Sequence, residues 1–298
     1  MELLAVLGQD AMVPTPYAAA TEGNYLVVYS NRIGCSFAVD CDTGKFCLAP
    51  NETYCVGVAQ DRMICRKAAK PSVTLYDVKT GRAEEKDFTF AMPDAGYAPT
   101  LGAAALPDGS LCAVIGGEAD YDKGQPLVLG VLGPDGKQET YDLGLGYCFD
   151  SYTVVAPDEN SVLVCSEARP YPSVYLIRRD TGAVSLLWFD GKGSRPELHS
   201  TPLAECLNAD GMPDLSDKLN GSPMLFVAGK LCDGKTALLF YSEANCPILL
   251  FRPETMEAAP VLQGSVSLPL LRALTGNGYD LWYDFQADRT HYFRLKVG

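Results

Sequence analysis

The segment Tyr152–Phe189 decides the fold. Its apolar runs are Tyr152-Thr-Val-Val-Ala, Ser161-Val-Leu-Val-Cys165, Ser173-Val-Tyr-Leu-Ile177 and Val184-Ser-Leu-Leu-Trp-Phe189. The turn Pro157-Asp-Glu-Asn joins the first two runs, and Asp180-Thr-Gly182 joins the last two. Short β-branched and aromatic runs between Asp, Asn, Gly and Pro clusters are the signal of strands joined in hairpins. The segment therefore predicts a four-stranded antiparallel sheet built from about 40 residues.

The same pattern recurs along the whole chain. Aligned on this template, the sequence gives six units, whose turn signals include Glu22-Gly-Asn24, Lys79-Thr-Gly81, Pro107-Asp-Gly109 and Gly276-Asn-Gly278. The sixth unit has only three strands, whereas Glu2–Leu7 is an additional strand before the first unit. We expect this strand to pair with the last three, because that arrangement leaves no unpaired strand edge at the junction.

With this repeat, residues 1–298 resemble the β-propeller superfamily as a single domain. The resemblance is architectural: Trp188 and Trp282 do not follow the WD40 signature, and a kelch-like double glycine occurs once, at Gly116-Gly117. It implies an all-β fold, a six-bladed β-propeller whose N-terminal strand completes the last blade in a one-plus-three closure. It also implies the use of one face for binding.

Residues 190–221 are predicted to be an insertion between blades four and five. The segment is rich in Gly, Pro, Ser and Asp and lacks a four-strand pattern, which argues against a seventh blade. Glu197–Asn208 and Asp214–Asn220 are predicted as short helices on a loop, the second of them capped by Asp214.

Charge and cysteine content restrict the possible partners. The net charge of −13 argues against nucleic acid and anionic membranes, because neutralising phosphates requires clustered Lys and Arg. The eleven cysteines are scattered without a Cys-x-x-Cys pair, which favours free thiols in a reducing compartment. No signal peptide and no run of about 18 apolar residues is present. We therefore expect a cytoplasmic protein.

Three glutamates are the metal candidates. Glu118, Glu167 and Glu243 end the second strands of successive blades, on the face that also carries the connections between blades. If they converge at the mouth of the channel, their oxygens could hold a hard cation, or one carboxyl group could serve as a general base. Alternatively, they are solvated loop ends.

Four tyrosines and one histidine are the ligand-binding candidates. Tyr17, Tyr54, Tyr97 and Tyr152 stand at the starts of first strands, where aromatic rings suit a sugar or peptide ligand but equally suit packing between blades. His199 lies in the insertion with Glu205 nearby, but no Gly-x-Ser-x-Gly motif supports a catalytic triad.

The sequence therefore predicts a non-catalytic propeller that binds a protein, a peptide or a small channel ligand. No catalytic residue and no cofactor is assigned, apart from a possible divalent cation. The alternatives are a metal-dependent hydrolase or lactonase-like propeller with a carboxylate cluster, and a carbohydrate- or peptide-binding propeller.

Overall fold

The computed structural model describes residues 2–7, 16–22, 25–30, 35–40, 46–48, 54–59, 62–66, 69–77, 79–148, 152–166, 173–190, 197–219, 225–230, 235–241, 249–260, 273–275, 279–286 and 289–296. Side-chain positions are described only between residues 55 and 259. Regular structure in these ranges is nearly all β, as predicted.

The strands follow one another with short connections. The first nine are β1 (Glu2–Leu7), β2 (Pro16–Glu22), β3 (Tyr25–Ser30), β4 (Cys35–Asp40), β5 (Phe46–Leu48), β6 (Tyr54–Ala59), β7 (Arg62–Arg66), β8 (Ser72–Asp77) and β9 (Ala83–Asp87). The next nine are β10 (Thr100–Ala105), β11 (Leu111–Gly116), β12 (Gln125–Leu132), β13 (Gln138–Gly146), β14 (Tyr152–Val155), β15 (Ser161–Ser166), β16 (Val174–Arg178), β17 (Ala183–Asp190) and β18 (Glu197–Pro202). The last seven are β19 (Leu225–Lys230), β20 (Ala237–Tyr241), β21 (Leu249–Arg252), β22 (Glu257–Pro260), β23 (Ala273–Thr275), β24 (Tyr279–Gln286) and β25 (Arg289–Lys296).

Helices among the described residues are short. They are the 3₁₀ turns Thr89–Ala91 and Leu203–Glu205 and the helix α1 (Ser216–Leu219). In the part of the chain described here, no helix is long and apolar enough to cross a membrane.

Consecutive strands pair with their neighbours in the chain. Numbered along the chain, the first sheet is β23-β2-β3-β4-β5, the second β6-β7-β8-β9, the third β10-β11-β12-β13, the fourth β14-β15-β16-β17-β18, the fifth β19-β20-β21-β22 and the sixth β1-β25-β24. The four strands predicted from Tyr152–Phe189 are confirmed as β14 to β17, paired antiparallel in chain order. Two of the turn signals are confirmed: Gly81 of Lys79-Thr-Gly81 has φ +71°, and at Pro107-Asp-Gly109, Asp108 Oδ1 accepts from Ser110 N at 2.8 Å and Gly109 has φ +84°. The signals Glu22-Gly-Asn24 and Gly276-Asn-Gly278 lie at least partly outside the described residues.

Each of the described middle sheets packs against its neighbours through both of its faces. In β15, Val162 and Val164 belong to the core shared with the β10–β13 sheet, whereas Leu163 and Cys165 belong to the core shared with the β19–β22 sheet. Successive side chains of a strand point to opposite faces, so a sheet that is covered on both sides needs apolar residues at every position. This explains why the second strands read as continuous apolar runs.

The first strand of each sheet lies next to the first strand of the following sheet. Contacts join β2 to β6, β6 to β10, β10 to β14, β14 to β19 and β19 to β23, and β23 pairs with β2 in parallel. The backbones approach closely: a Cβ on Gly102 in β10 would lie 2.4 Å from the carbonyl oxygen of Tyr152 in β14.

The two ends of the chain meet, although not entirely as predicted. β1 pairs antiparallel with β25, with Glu2 opposite Arg294 and Leu7 opposite Thr290. The predicted sheet of one plus three strands is not what the described strands form, since β23 pairs with β2 and leaves three strands in the last sheet. The edge of β2 that faces away from β3 offers backbone groups that need partners, and the short β23 supplies them.

The prediction for residues 197–208 is wrong in part. Glu197–Pro202 forms β18, a fifth strand beside β17, and not a helix. A proline cannot sit inside a helix without removing a hydrogen bond, and Pro202 ends this strand. The second predicted helix is present as α1, and Asp214 caps it by accepting from Ser216 N at 2.8 Å. Leu203, Cys206, Leu215 and Leu219 of this segment join the core between the third and fourth sheets.

Candidate functional site

The structure describes only part of the predicted glutamate cluster. Glu118 is exposed in the loop between β11 and β12. Glu167 and Glu243 lie outside the described residues, so their convergence with Glu118 stays a prediction.

The predicted tyrosines have different environments. Tyr152 is buried at 6% exposure, and its hydroxyl lies where a Cβ on Gly146 would be only 2.3 Å away. Its ring therefore packs between the third and fourth sheets, the structural alternative that the sequence left open. Tyr97 is 45% exposed, three residues before β10. Tyr17 and Tyr54 belong to β2 and β6, and their side chains lie outside the described positions.

His199 lies in β18, where the strand register brings two carboxylates next to it. Trp188 is opposite His199, and Asp190 is opposite Glu197. Because side chains alternate between the faces of a strand, these four residues lie on one face of the β17–β18 hairpin. The ligand atoms of Asp190, Glu197 and His199 all lie within 4.8 Å of one another.

The imidazole of His199 is held in place by its neighbours. It stacks on Trp188 with ring centroids 4.5 Å apart and an interplanar angle of 22°. The indole Nε1 donates to Thr201 Oγ1 at 3.0 Å, and the ammonium of Lys218 lies 5.9 Å from the centroid of the same indole. The stacked indole therefore restricts the orientation of the His199 ring.

The contact between His199 and Asp190 has the dimensions of a shared metal site. His199 Nε2 lies 3.1 Å from Asp190 Oδ2. Nε2 is shielded from water, and within the described part of the chain it forms no aligned hydrogen bond, so the Asp190 oxygen lies off the direction of a ring N–H. Two atoms bound to one metal ion at about 2.0–2.1 Å, at angles near 90–110°, are about 2.8–3.4 Å apart. The separation of His199 Nε2 and Asp190 Oδ2 is compatible with this arrangement, as it is with an ion pair.

One imidazole and two carboxylates form a donor set that suits a divalent metal ion. Three protein ligands leave further coordination positions open for water or substrate, as catalytic sites do. The side chains of Asp190 and His199 are 54% and 32% exposed, so the Asp190 side reaches solvent, whereas Nε2 of His199 is shielded by its neighbours. Sequence reasoning found His199 but missed Asp190 and Glu197, because only the β17–β18 pairing brings them together.

A polar cleft lies at the opposite end of the fourth sheet, where it meets the third. It encloses about 260 Å³ and is lined mainly by residues of the hairpin turns, among them Asp108, Glu139, Glu159 and Arg179. Arg179 binds both oxygens of Glu139 at 3.0 and 3.2 Å, and its Nη1 donates to Asp108 Oδ2 at 2.9 Å. It also donates to the backbone oxygen of Glu159 at 2.6 Å.

These contacts fix the charges around Arg179. Its hydrogen bonds lower the pKa of Glu139 to about 2, against the opposing effect of burial. For Asp108, burial acts to raise the pKa, but hydrogen bonds from Arg179 and from the Ser110 backbone together outweigh it and lower the pKa. Burial and a hydrogen bond to Glu139 raise the pKa of Tyr141 to about 12. Near neutral pH, Glu139 and Asp108 therefore stay negatively charged beside the positively charged Arg179. We call this set of contacts the Arg179 clasp; groups that keep their charge suit a structural role and not proton transfer.

The described cysteines form no disulfide with one another. They are Cys55, Cys65, Cys112, Cys148, Cys165 and Cys206, and all but Cys148 are buried. Burial raises the pKa of the Cys206 thiol, which makes it less reactive.

Comparisons with known proteins bear on the fold. No protein-family model matches the chain, and the comparison with curated proteins gives no match. Among solved structures, a luciferin-regenerating enzyme matches at a TM-score of 0.51 and 9% identity over 98% of this chain and 95% of its own. The β-propeller domain of the Trilobed protease from Pyrococcus furiosus matches at 0.46 and 9% over 95% of each chain.

The acylaminoacyl peptidase from Pyrococcus horikoshii matches at a TM-score of 0.49 and 12% identity over 97% of this chain. The chain spans about half of that peptidase, 52% of its length. The matched structures have propeller-type folds, and at such low identity the likeness concerns the fold alone.

Proposed function

We propose that the chain is a six-bladed β-propeller that binds a divalent metal ion at Asp190, Glu197 and His199 and uses it to hydrolyse a small ester or lactone. The observation that carries the proposal is the grouping of these three ligand atoms within 4.8 Å on one face of the β17–β18 hairpin. This develops the hydrolase alternative of the sequence analysis, with the metal held by a different set of residues.

The six-bladed arrangement is supported by the strand contacts. The strands β2, β6, β10, β14 and β19 touch one another in this order, β19 also touches β23, and the parallel pairing of β23 with β2 would complete a ring. The pairing of β1 with β25 would fasten the junction between the two ends of the chain. A closed arrangement of sheets leaves only short, protected edges.

The chemistry follows from the donor set. A divalent ion held by Asp190, Glu197 and His199 would make water acidic enough to act as a nucleophile near neutral pH and would polarise the carbonyl of an ester. In the reaction the water oxygen would bond to the acyl carbon, the bond from that carbon to the alkoxy oxygen would break, and the alkoxy oxygen would take up a proton from the water. The stack of His199 on Trp188 would hold the ligating nitrogen while the two exposed carboxylates balance the charge of the ion.

The test is metal binding by chelator-treated protein, followed by hydrolysis. Mn²⁺, Co²⁺, Zn²⁺ and Ca²⁺ are titrated into a Trp282→Phe variant, in which Trp188 is the remaining tryptophan. We expect Mn²⁺ or Co²⁺ to quench Trp188 fluorescence and expect any occupied site to raise the melting temperature. A site at a hundredfold its dissociation constant adds about 2.7 kcal/mol to the free energy of unfolding. Hydrolysis of aryl esters and small lactones is then measured with the bound metal.

Matched variants separate this site from general binding to an acidic protein. Asp190→Asn with His199→Gln should abolish quenching and the melting shift. A Glu205→Gln and Asp217→Asn variant neutralises two exposed carboxylates of the same segment and should retain both. If no metal gives a shift that depends on Asp190 and His199, the metal site is wrong. Binding without hydrolysis of any ester or lactone would contradict the proposed reaction.

A further inference from the structure

We infer that the loops at one end of the third sheet form a docking surface for an arginine- or lysine-rich peptide segment. We call it the acidic tyrosine surface; it consists of Tyr97, Tyr121, Tyr147, Asp94, Glu118 and Asp122. It is independent of the proposed metal site and uses none of its residues.

Hydrogen bonds and packing join the three loops that carry these residues. The side chain of Gln125, which follows the loop between β11 and β12, donates to the backbone oxygen of Tyr147 at 3.2 Å. Within that loop, the backbone oxygen of Asp120 lies 3.2 Å from Cys148 Sγ. The same loop is closed on itself by a bridge between Asp120 and Gly124. A Cβ on Gly117 would lie 3.4 Å from the sulfur of Met92, which places the loop before β10 beside it. The residues therefore belong to one continuous platform.

Aromatic side chains on this platform are unusually exposed. Tyr121 is 83% exposed, Tyr97 is 45% and Tyr147 is 39%. Together with Leu207 at 37%, they are the large hydrophobic residues that the described part of the chain leaves exposed. Burying such rings in the core would be favourable, so three exposed tyrosines on adjoining loops indicate a surface that meets another molecule.

The charges around the tyrosine rings indicate which kind of partner this surface would bind. The described residues of these loops include the exposed acids Asp94, Glu118, Asp120 and Asp122 and a single base, Lys123, which lies 3.8 Å from Asp120. Carboxylates beside aromatic rings complement a guanidinium or ammonium group. Such a cation can form an ion pair with a carboxylate while it lies over the face of a neighbouring ring. A basic peptide meets both features, and the overall charge of −13 would favour its approach.

The test uses fluorescently labelled hexa-arginine, hexa-lysine and hexa-glutamate peptides, with anisotropy measured at about 150 mM salt, where long-range attraction is screened. We expect the basic peptides to bind and the acidic one not to bind. The double variant Tyr97→Ala with Tyr121→Ala should weaken hexa-arginine binding at least tenfold. Tyr97→Phe with Tyr121→Phe should retain it, because the aromatic faces remain.

A matched charge control distinguishes this surface from attraction to the whole protein. Asp94→Asn, Glu118→Gln and Asp122→Asn remove three charges from the surface, whereas Glu85→Gln, Glu159→Gln and Glu254→Gln remove three exposed charges elsewhere. We expect the first triple variant to lose at least tenfold more affinity than the second. Equal losses, an absence of binding, or tyrosine-dependent binding of chitohexaose in place of the basic peptides would overturn the inference. Metal-induced melting shifts should be unchanged in all these variants, so the two proposals can fail separately.

Discussion

At the scale of single residues, Arg179 connects the third and fourth sheets through ion pairs. Its side chain is 13% exposed, and its guanidinium reaches two carboxylates of the third sheet, Glu139 and Asp108, from the turn after β16. A planar guanidinium can satisfy both oxygens of a carboxylate at once, which a lysine cannot. The contacts are stronger than those of ordinary surface ion pairs, because Glu139 is itself only 16% exposed.

These contacts predict an acid-dependent loss of stability. Since the folded-state pKa of Glu139 is about 2 and its unfolded value is near 4.5, Glu139 stabilises the protein fully above about pH 5 and progressively less as the pH falls towards 2. The expected loss is on the order of 2–3 kcal/mol. Arg179→Met should lower the free energy of unfolding at pH 7 by about 1–3 kcal/mol and flatten this pH dependence.

Urea unfolding at pH 3 and pH 7 measures both effects. Arg62→Met is the control, because Arg62 and Glu84 form an exposed pair at 3.4 Å, with 35% and 53% of their side chains accessible. We expect less than about 0.5 kcal/mol from this control. An Arg179→Met protein with the same pH dependence as the unaltered chain would show that the clasp does not stabilise the fold.

At the scale of strands, the contact between β13 and β14 depends on a residue without a side chain. Gly146 ends β13, and a Cβ there would lie 2.3 Å from both a methyl carbon of Leu127 and the hydroxyl of Tyr152. Leu127 and Tyr152 are buried, so neither can move aside cheaply. Gly146→Ala should therefore lower the free energy of unfolding by about 1–3 kcal/mol.

Gly96→Ala is the matched control for this substitution. Nothing lies within 4 Å of a Cβ on Gly96. We therefore expect Gly96→Ala to change the free energy of unfolding of the protein little or to increase it slightly. Both variants are compared by thermal melting. Equal melting temperatures would mean that the third and fourth sheets tolerate a methyl group between them.

How far the sequence predicts the elements depends on where a strand lies. β14 to β17 could be predicted because strands covered on both faces need apolar residues at nearly every position, and because Pro157-Asp-Glu-Asn and Asp180-Thr-Gly182 mark the turns of the two hairpins. β18 could not, because an outer strand is half exposed and Glu197-Leu-His-Ser-Thr-Pro202 carries no strong apolar pattern. Asp190 and Glu197 were missed for the same reason: six residues separate them in the sequence, and the pairing of β17 with β18 places them opposite each other.

At the scale of the whole molecule, contacts between neighbouring sheets recur on both sides of the middle sheets. Arg66 Nη1 in the second sheet donates to the backbone oxygen of Thr100 in the third at 2.7 Å. Arg178 Nη1 in the fourth donates to the backbone oxygen of Pro253, beside the fifth, at 3.0 Å. Together with the Arg179 clasp and the apolar cores, these hydrogen bonds connect each sheet to the next. A substitution that weakens the contact between two sheets should therefore lower the stability of the whole fold.

The pairing of β1 with β25 provides the test at this scale. Deleting residues 1–7 would expose one edge of β25 and release the contact between the two ends of the chain. We expect the melting temperature to fall by several degrees, since about 1 kcal/mol corresponds to a few degrees in a domain of this size.

Adding the peptide of residues 1–7 in trans should restore part of the loss, because an open strand edge accepts an added strand. A peptide of the same composition in scrambled order should not. An unchanged melting temperature after the deletion would mean that β1 does not fasten the ends of the chain, and the proposed closure would then rest on β23 and β2 alone.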